Sequence, residues 1–259
     1  MGGAPTAATV AAALGAVPVA TPMLVTGLGD RALALLQGTV LAGSVAPVQA
    51  VRGGGGSDGG TAPPSPGSAI AVQWVRGDVD IGAVGTVTEI DGDRLLAFGH
   101  PVLGAHRSVP FKLANTGATP LGAVDQDRPA AVAGRLGSDA DLLPVTLTVA
   151  DGDATTALSF EVVRDEALWP ALVAIATLEA LDRARDRTGA GTATVHWDAS
   201  FAVGSPLRLS ETVVDDDDVA TAAARLAGAP LALLAGNPFQ DTYLTRLALL
   251  VRLEDRRRD

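Results

Sequence analysis

His100 ends an apolar run in the stretch 95–104, which reads LLAFGHPVLG. An imidazole titrates near neutral pH, so a histidine presented at a strand end is suited to general acid–base catalysis. The same position also suits a histidine that ends a hairpin and bonds to nearby backbone. The local residues leave both interpretations open, because no nucleophile accompanies this histidine in the sequence.

A histidine base needs a nucleophile within reach and usually an acid that orients its ring. Asp127, in the stretch 123–137, is a candidate for that acid, with a local turn as the alternative. The candidate serines are Ser108, Ser138 and Ser205, and each is expected to be a loop serine. None lies in a G-x-S-x-G turn, which would expose the hydroxyl and direct backbone N–H groups at an oxyanion. No nucleophile is therefore assigned.

A metal site is an alternative way to use these side chains. A metal-dependent hydrolase could be built on His100, His106 and Asp127, although their positions do not match a standard zinc-ligand spacing. The run Asp215–Asp218 lacks the alternating ligands and central glycine of a calcium loop, and it favours a helix N-cap. The chain holds no cysteine, which excludes disulfides, thiolate catalysis and cysteine zinc sites. No metal and no cofactor are assigned.

Composition limits the partners. The chain has 259 residues, of which 47% are hydrophobic, enough to bury a core. Its net charge of −10 repels phosphate backbones, so nucleic acid is not an expected partner. No apolar run is long enough to span a membrane, and the N-terminal one lacks the basic start of a signal peptide. The compartment and oligomeric state stay open, and an extracytoplasmic location is expected only if the full-length gene carries a signal peptide.

The elements that would position His100 are β-strands. Strand-like segments separated by Asp-Gly turns predict an antiparallel β domain of about six strands over residues 68–163. One of these segments, 94–100, ends on His100. A Gly/Pro-rich linker at 53–67 separates this domain from a partly helical N-terminal segment, 1–52.

The remaining residues, 164–259, predict an α+β domain in the order helix, strand, helix, strand. Its segments are helices at 165–189 and 215–228 and strands at 192–203 and 242–254. His196 falls on the polar face of the first of these strands and is expected to be solvated. A short helix is expected at 24–37, with Asp30 as its cap. The whole chain is therefore expected to be mainly β with an α+β C-terminal part.

The stretch 77–104, GDVDIGAVGTVTEIDGDRLLAFGHPVLG, resembles the SpoIVB-type serine peptidase family, which carries a G-x-G-T-x-T strand, a short turn and a strand ending in Gly-His. The stretch 111–137 resembles the family's following block, and 20–28 and 237–240 resemble long bacterial members. The resemblance implies a trypsin-like antiparallel β-barrel and a Ser–His mechanism acting on a polypeptide. It implies that His100 is the general base.

The family's nucleophile lies in a motif like G-M-S-G-S-P, and this motif is absent from the chain. The stretch VGSP at 203–206 is a partial match, so the nucleophile is not assigned to Ser205. In long members the motif lies upstream of the region resembled here. Losing one member of a catalytic triad costs about 10⁴- to 10⁶-fold in rate, so the resemblance implies a peptidase-like protein that is inactive or incomplete in this chain alone. The alternative is a non-catalytic structural or peptide-binding module of a bacterial envelope protein, whose exposed strand edges would bind an extended peptide.

Overall fold

The structure is a computed structural model that describes residues 21–39, 63–102, 109–114, 119–185, 188–239 and 242–254. Within these ranges the chain forms twelve β-strands and three α-helices. The strands are β1 Met23–Thr26, β2 Ala69–Gly77, β3 Asp80–Asp91, β4 Arg94–Ala97, β5 Val109–Leu113, β6 Gly122–Arg128, β7 Ala131–Leu136, β8 Leu142–Asp151, β9 Ala154–Val163, β10 Gly191–Phe201, β11 Leu207–Asp215 and β12 Leu244–Glu254. The helices are α1 Asp30–Gln37, α2 Trp169–Ala184 and α3 Val219–Ala235.

Six of the strands close into an antiparallel barrel. Their order is β2, β3, β4, β7, β6 and β5, and β5 pairs again with β2. Closure gives each barrel strand two paired neighbours in the barrel wall. The start of β3, at residues 80–83, extends beyond its pairing with β4, and this part of its edge can pair with another strand. The antiparallel β-barrel and the mainly β fold class expected from the sequence are therefore confirmed.

Phe111 fills the barrel interior where two neighbouring strands carry glycine. A Cβ at Gly122 would lie 2.8 Å from the Phe111 ring and 1.9 Å from the carbonyl oxygen of Arg135. A Cβ at Gly134 would lie 2.7 Å from the same ring. The two missing side chains therefore let β6 and β7 approach the ring and each other closely enough for the barrel to close.

The strand β2 carries the sheet out of the barrel. Its residues 70–72 pair with β5, whereas residues 75–77 pair with β9. The register against β3 shifts between Gln73 and Val75, which marks a β-bulge at the point of departure. From β9 the sheet continues through β8, β12, β10 and β11, and the β8–β12 pair is parallel while the others are antiparallel.

The helices α2 and α3 pack together and cover one face of this extension. Buried and half-buried residues alternate along β10, as its sequence predicts. On the buried side, the indole N–H of Trp197 donates a 3.0 Å hydrogen bond to the carbonyl of Ala227 in α3. Gly228 lets the helices approach, since a Cβ there would lie 3.1 Å from the Cβ of Ala174 in α2.

The structure adds four strands to those expected from the sequence, β1, β5, β6 and β11. Residues 68–163 contain eight strands, because β5 and β6 join the expected ones, and β11 adds a strand to the C-terminal part. The segment GAVDQDR of β6 does not alternate, and its buried residues follow a pattern that only the barrel explains. Most of β11 is exposed, so its strand conformation comes from pairing with β10 rather than from burial.

The expected helix at 24–37 is shorter than predicted, because its first residues form β1 and pair with the edge of β3. The helix α1 begins at Asp30, and Gly29 is its N-cap without a side-chain hydrogen bond. Helical spacing in this segment did not reveal the strand, because the edge of β3 lies far away in the sequence.

The strands β8 and β12 pair in parallel from Val145 and Leu247 to Asp151 and Leu253. Their backbone hydrogen bonds thus cross the domain boundary placed at 163/164. Most of the predicted linker and of the N-terminal segment lies outside the described ranges, and the division of the chain into domains stays a prediction. No helix in the described ranges is long and apolar enough to cross a membrane.

Candidate functional site

His100 lies in an exposed turn that follows β4. The strand ends at Ala97, not at His100 as the sequence suggested, because Phe98 and Gly99 adopt φ angles of +70° and +68°. The amide of Gly99 donates a 2.9 Å hydrogen bond to the carbonyl of Ala97. This hydrogen bond closes a three-residue turn around Phe98. Because the φ of Phe98 is positive, the turn is a γ-turn of the rare, strained kind. A strained backbone therefore directly precedes the histidine.

The side chain of Phe98 holds this turn against β3. A Cβ at Gly85 would lie 2.4 Å from Cδ1 of Phe98, so the phenyl ring occupies the space that the glycine leaves free. The amide of Phe98 donates to the carbonyl of Thr86 at 3.0 Å. The ring meets the imidazole of His100 edge to face, with centroids 6.1 Å apart. Gly85 and Thr86 of β3 thus position the residue that precedes the Gly-His pair.

The imidazole of His100 is oriented by backbone. Its Nδ1 lies 2.8 Å from the carbonyl oxygen of Pro101. A carbonyl only accepts hydrogen bonds, so this contact places the proton of the neutral ring on Nδ1. The lone pair then resides on Nε2, which is the atom that would accept a proton from a hydroxyl.

Asp127 lies at the end of the barrel from which the His100 turn departs. It pairs with Val132, which in turn pairs with Ala97 at the end of β4. The carboxylate is buried and accepts the amide of Val102 at 3.0 and 3.2 Å. It therefore anchors the backbone two residues after His100. Its expected part as the acid that orients the imidazole ring stays a prediction.

The candidate serines fall in different places. Ser138 is engaged in its hairpin, where its hydroxyl donates to the carbonyl of Arg135 at 2.8 Å and accepts the amide of Ala123 at 3.1 Å. Ser205 lies exposed between β10 and β11. Ser108 lies outside the described residues. Among the residues that the structure describes, no serine hydroxyl is hydrogen-bonded to His100.

The metal alternative is not tested, because His106 also lies outside the described ranges. Within those ranges, no three His, Asp or Glu side chains form a group that could hold a metal ion. The acidic run is a cap, as expected: the carboxylate of Asp218 accepts the amide of Thr221 at the start of α3. Asp215 accepts the amides of Asp218 and Asp217, and these bonds lower the pKa of its carboxyl.

His196 occupies the sheet face opposite α2 and α3. It is half-buried and lies beside Ser210 and Leu250 in the neighbouring strands. A groove of about 630 Å³ runs over this face and is lined by threonines of β8 and by Asp198 and Arg208. Arg208 donates to Asp198 at 3.1 Å. The groove is open, but more of its lining is apolar than polar, and Ala248 and Leu250 contribute to it. His196 is therefore less solvated than the sequence suggested.

Sequence reasoning missed a buried polar cluster on the barrel wall. Lys112, the single lysine of the chain, donates from Nζ to Asp80 at 2.8 Å. The amide nitrogen of Gln73 donates to the same carboxylate oxygen, also at 2.8 Å. The three side chains tie β2, β3 and β5 together beside the bulge in β2. A lone lysine in an arginine-rich chain was the one signal that could have drawn attention to it.

Comparison of the chain with protein-family models, with curated proteins and with solved structures finds no match. The resemblance to SpoIVB-type peptidases thus remains a hypothesis that the sequence motifs and the geometry around His100 must support.

Proposed function

We propose that this chain is a SpoIVB-type peptidase-like barrel that presents a histidine base without its nucleophile. The orientation of His100 carries the proposal. In serine peptidases an acceptor holds Nδ1–H while Nε2 takes the proton of the serine hydroxyl. Here the carbonyl of Pro101 is the acceptor at Nδ1, which leaves Nε2 as the base.

The scaffold around the histidine supports the same proposal. A six-stranded antiparallel barrel is the architecture that the resemblance implies, and His100 follows one of its strands. The strained turn at Phe98 and the anchor from Asp127 hold the segment on both sides. Backbone strain of this kind is found more often at functional sites than elsewhere.

Cleavage by this mechanism also requires a nucleophilic hydroxyl, and none is assigned in this chain. A base without a nucleophile has no proton to remove, so formation of an acyl-enzyme cannot begin. The sequence has no G-M-S-G-S-P motif, and no described serine meets His100. The chain alone is therefore expected to be inactive toward peptide and ester substrates.

A fluorophosphonate probe tests this directly, because it labels only serines that are activated by a base. The expected result is no covalent labelling of the chain, measured by intact-mass spectrometry beside an active serine peptidase. Stoichiometric labelling that is lost in His100→Ala and kept in His196→Ala would overturn the proposal of inactivity. His196 is the matched control because it lies in β10, which β9, β8 and β12 separate from the barrel in the sheet.

The base assignment has its own test. Nitrogen-15 NMR distinguishes the two neutral imidazole tautomers, and His100 is expected to carry its proton on Nδ1. A neutral ring protonated on Nε2 would contradict the assignment, whatever the outcome of labelling.

A second candidate function is peptide binding at the strand β11. This strand has nine residues, is exposed along most of its length and ends the sheet, with β10 as its paired neighbour. Such an edge can accept an extended peptide through backbone hydrogen bonds. The candidate therefore concerns a part of the protein remote in the sheet from the barrel.

Two proline variants test it. Successive backbone N–H groups in a strand point to opposite sides of the strand. Of the variants Ser210→Pro and Glu211→Pro, one therefore removes an N–H group that faces β10, and the other removes an N–H group that faces the sheet edge. The variant that loses the N–H group facing β10 should have a lower melting temperature. The variant that loses the N–H group at the edge should keep the melting temperature and lose the thermal shift that an extended peptide produces in the unmodified chain. No shift with any extended peptide in a screen of the unmodified chain would count against this candidate.

A further inference from the structure

The strand β11 is a sheet edge that its own sequence does not block. Within the described residues it pairs with β10 alone, from Gly191 and Asp215 to Ala199 and Leu207, without a register shift. The sequence of β11, LRLSETVVD, has no proline and no lysine, the residues with which proteins commonly block such edges. An edge of nine residues is therefore open to a further strand.

An apolar side of α3 lies above the same edge. Leu226, Pro230 and Leu233 are spaced four and three residues apart, so they share one side of the helix. Gly228 is two residues from both Leu226 and Pro230 and lies on the opposite side, where it packs on Ala174 of α2. Because α2 contacts β8 and β9 whereas α3 contacts β10 and β11, the side of α3 that faces away from α2 lies toward the β11 edge.

This side of α3, which we call the α3 flank, has the composition of an interface. Leu233 is 79% exposed, and Leu226 and Pro230 are half-buried. No charged residue occurs in the sequence between Arg225 and Asp241. The solvent side of a surface helix normally carries charged and polar residues, and contiguous exposed apolar surface marks sites of association.

The edge and the flank together fit a second copy of this chain. Pairing of β11 with β11 of a second copy would continue the sheet at a strand spacing of about 4.8 Å. Because α3 contacts both β10 and β11, it lies above their boundary, and its counterpart would lie two strand spacings away, at about 10 Å. Packed helices lie about 8–10 Å apart. A second copy thus covers the edge and the flank at once, whereas an extended peptide covers the edge alone.

The charges along β11 favour antiparallel pairing with a second copy. Arg208 lies near the start of the strand, and the acidic run Asp215–Asp218 lies at its end. Antiparallel pairing sets each basic end beside the acidic end of the other copy, whereas parallel pairing would set the two acidic runs side by side. A two-fold axis at Thr212 places Arg208 opposite Asp216, while an axis at Glu211 would oppose two glutamates.

We infer that β11 and the α3 flank form the interface of a two-fold symmetric dimer, in which β11 pairs antiparallel with itself about Thr212 and α3 packs on α3. In such a dimer the same patch of surface serves both copies. The dimer rests on the same free edge as the peptide-binding candidate and names the strand that occupies it. It does not involve His100.

Sedimentation equilibrium of the full chain measures the dimer. We expect twice the mass of one chain, and Leu233→Glu should raise the dissociation constant at least about tenfold, because two glutamates would enter an apolar contact. Ala232→Glu is the matched control. It adds the same charge to the same turn, but Ala232 is exposed and lies four residues after Gly228, on the side of α3 that faces α2. It should change the dissociation constant less than about threefold.

A chain that stays monomeric at all concentrations would overturn the dimer, and so would equal effects of the two glutamate variants. The peptide screen separates the dimer from the peptide-binding candidate. A monomer that shows a thermal shift with an extended peptide would overturn the dimer and leave peptide binding in place. A dimer that shows no such shift would support the second copy as the occupant of the edge.

Single cysteines test the register, because the chain has no cysteine of its own. Thr212→Cys lies on the axis and should be joined to its counterpart by a short bis-maleimide. Thr146→Cys is the matched control, because Thr146 is exposed on the same face of the sheet but lies in β8, which β12 and β10 separate from β11. Equal crosslinking of the two variants would overturn the proposed interface.

Discussion

Asp127 and Val102 are joined by two hydrogen bonds, because both carboxylate oxygens of Asp127 accept the amide of Val102, at 3.0 and 3.2 Å. The bonds attach the segment after β4 to β6, on the far side of β7. With the γ-turn at Phe98, they hold the backbone of His100 from both directions. The position of the histidine is therefore a property of the barrel and not of the local sequence.

Asp127→Ala should lower the free energy of unfolding by about 2 to 3 kcal/mol, because it leaves a buried amide without its charged acceptor. Urea unfolding measures the change. Asp125→Ala is the control, since Asp125 is exposed and its ion pair with Arg135 is 3.4 Å long; that variant should lose less than about 1 kcal/mol. Equal losses in the two variants would contradict an anchoring role for Asp127.

Gly85→Ala should destabilise the protein by about 1 to 3 kcal/mol, because the new methyl group overlaps the Phe98 ring. In a background of Phe98→Ala the same substitution should cost much less, and a double-mutant cycle measures this coupling. Gly189→Ala is the control, because a Cβ there meets nothing within 4 Å. Additive effects of the Gly85 and Phe98 substitutions would show that the packing of the Phe98 ring does not depend on the missing side chain at Gly85.

Local chemistry in the sequence was enough to predict several elements. The Asp-Gly pairs predicted the β3–β4 and β8–β9 hairpins, and Gly92 and Gly152 adopt the positive φ angles that such turns require. The helix α2 lies within its predicted range, and Asp218 caps α3 as the acidic run suggested. In each case the signal lies within a few neighbouring residues.

Features that depend on distant residues were not predictable in this way. Barrel closure rests on Phe111 meeting Gly122 and Gly134, and the strand β1 rests on the free edge of β3. At the site, the sequence singled out His100 but carried no information on the dihedral angles that place Nδ1 on the carbonyl of Pro101. Such contacts are set by packing and not by local propensity.

Asp218→Asn should destabilise the protein at pH 7 and have little effect at low pH. Burial raises the pKa of the Asp218 carboxyl, but the hydroxyl and amide of Thr221 and the guanidinium of Arg31 outweigh it, so the pKa lies below its ordinary 3.8. A lowered pKa contributes stability above the unfolded value and loses it as the pH falls through the folded value. Asparagine also caps helices, so the variant isolates the charge, which we expect to contribute about 1 kcal/mol.

Urea unfolding of Asp218→Asn and the unmodified chain at pH 7 and pH 3 checks this expectation. Asp139→Asn is the matched control, because Asp139 is exposed, and its effect on the free energy of unfolding should be small. A loss in Asp218→Asn that persists unchanged at pH 3 would assign the effect to shape and not to charge.

Asp141→Asn should lower the pKa of Tyr243. The phenol donates a 2.7 Å hydrogen bond to the Asp141 carboxylate, which raises the pKa of Tyr243 above 10.0, while the nearby Arg164 acts in the opposite direction. Losing the phenolic proton would place two negative oxygens side by side, and the variant removes one of them. Tyr243 is the single tyrosine of the chain, so the ultraviolet absorbance of tyrosinate during an alkaline titration reports this residue alone. The midpoint should move down toward 10 in Asp141→Asn and stay in place in Asp139→Asn; an unchanged midpoint in both would show that the carboxylate does not hold the phenol in solution.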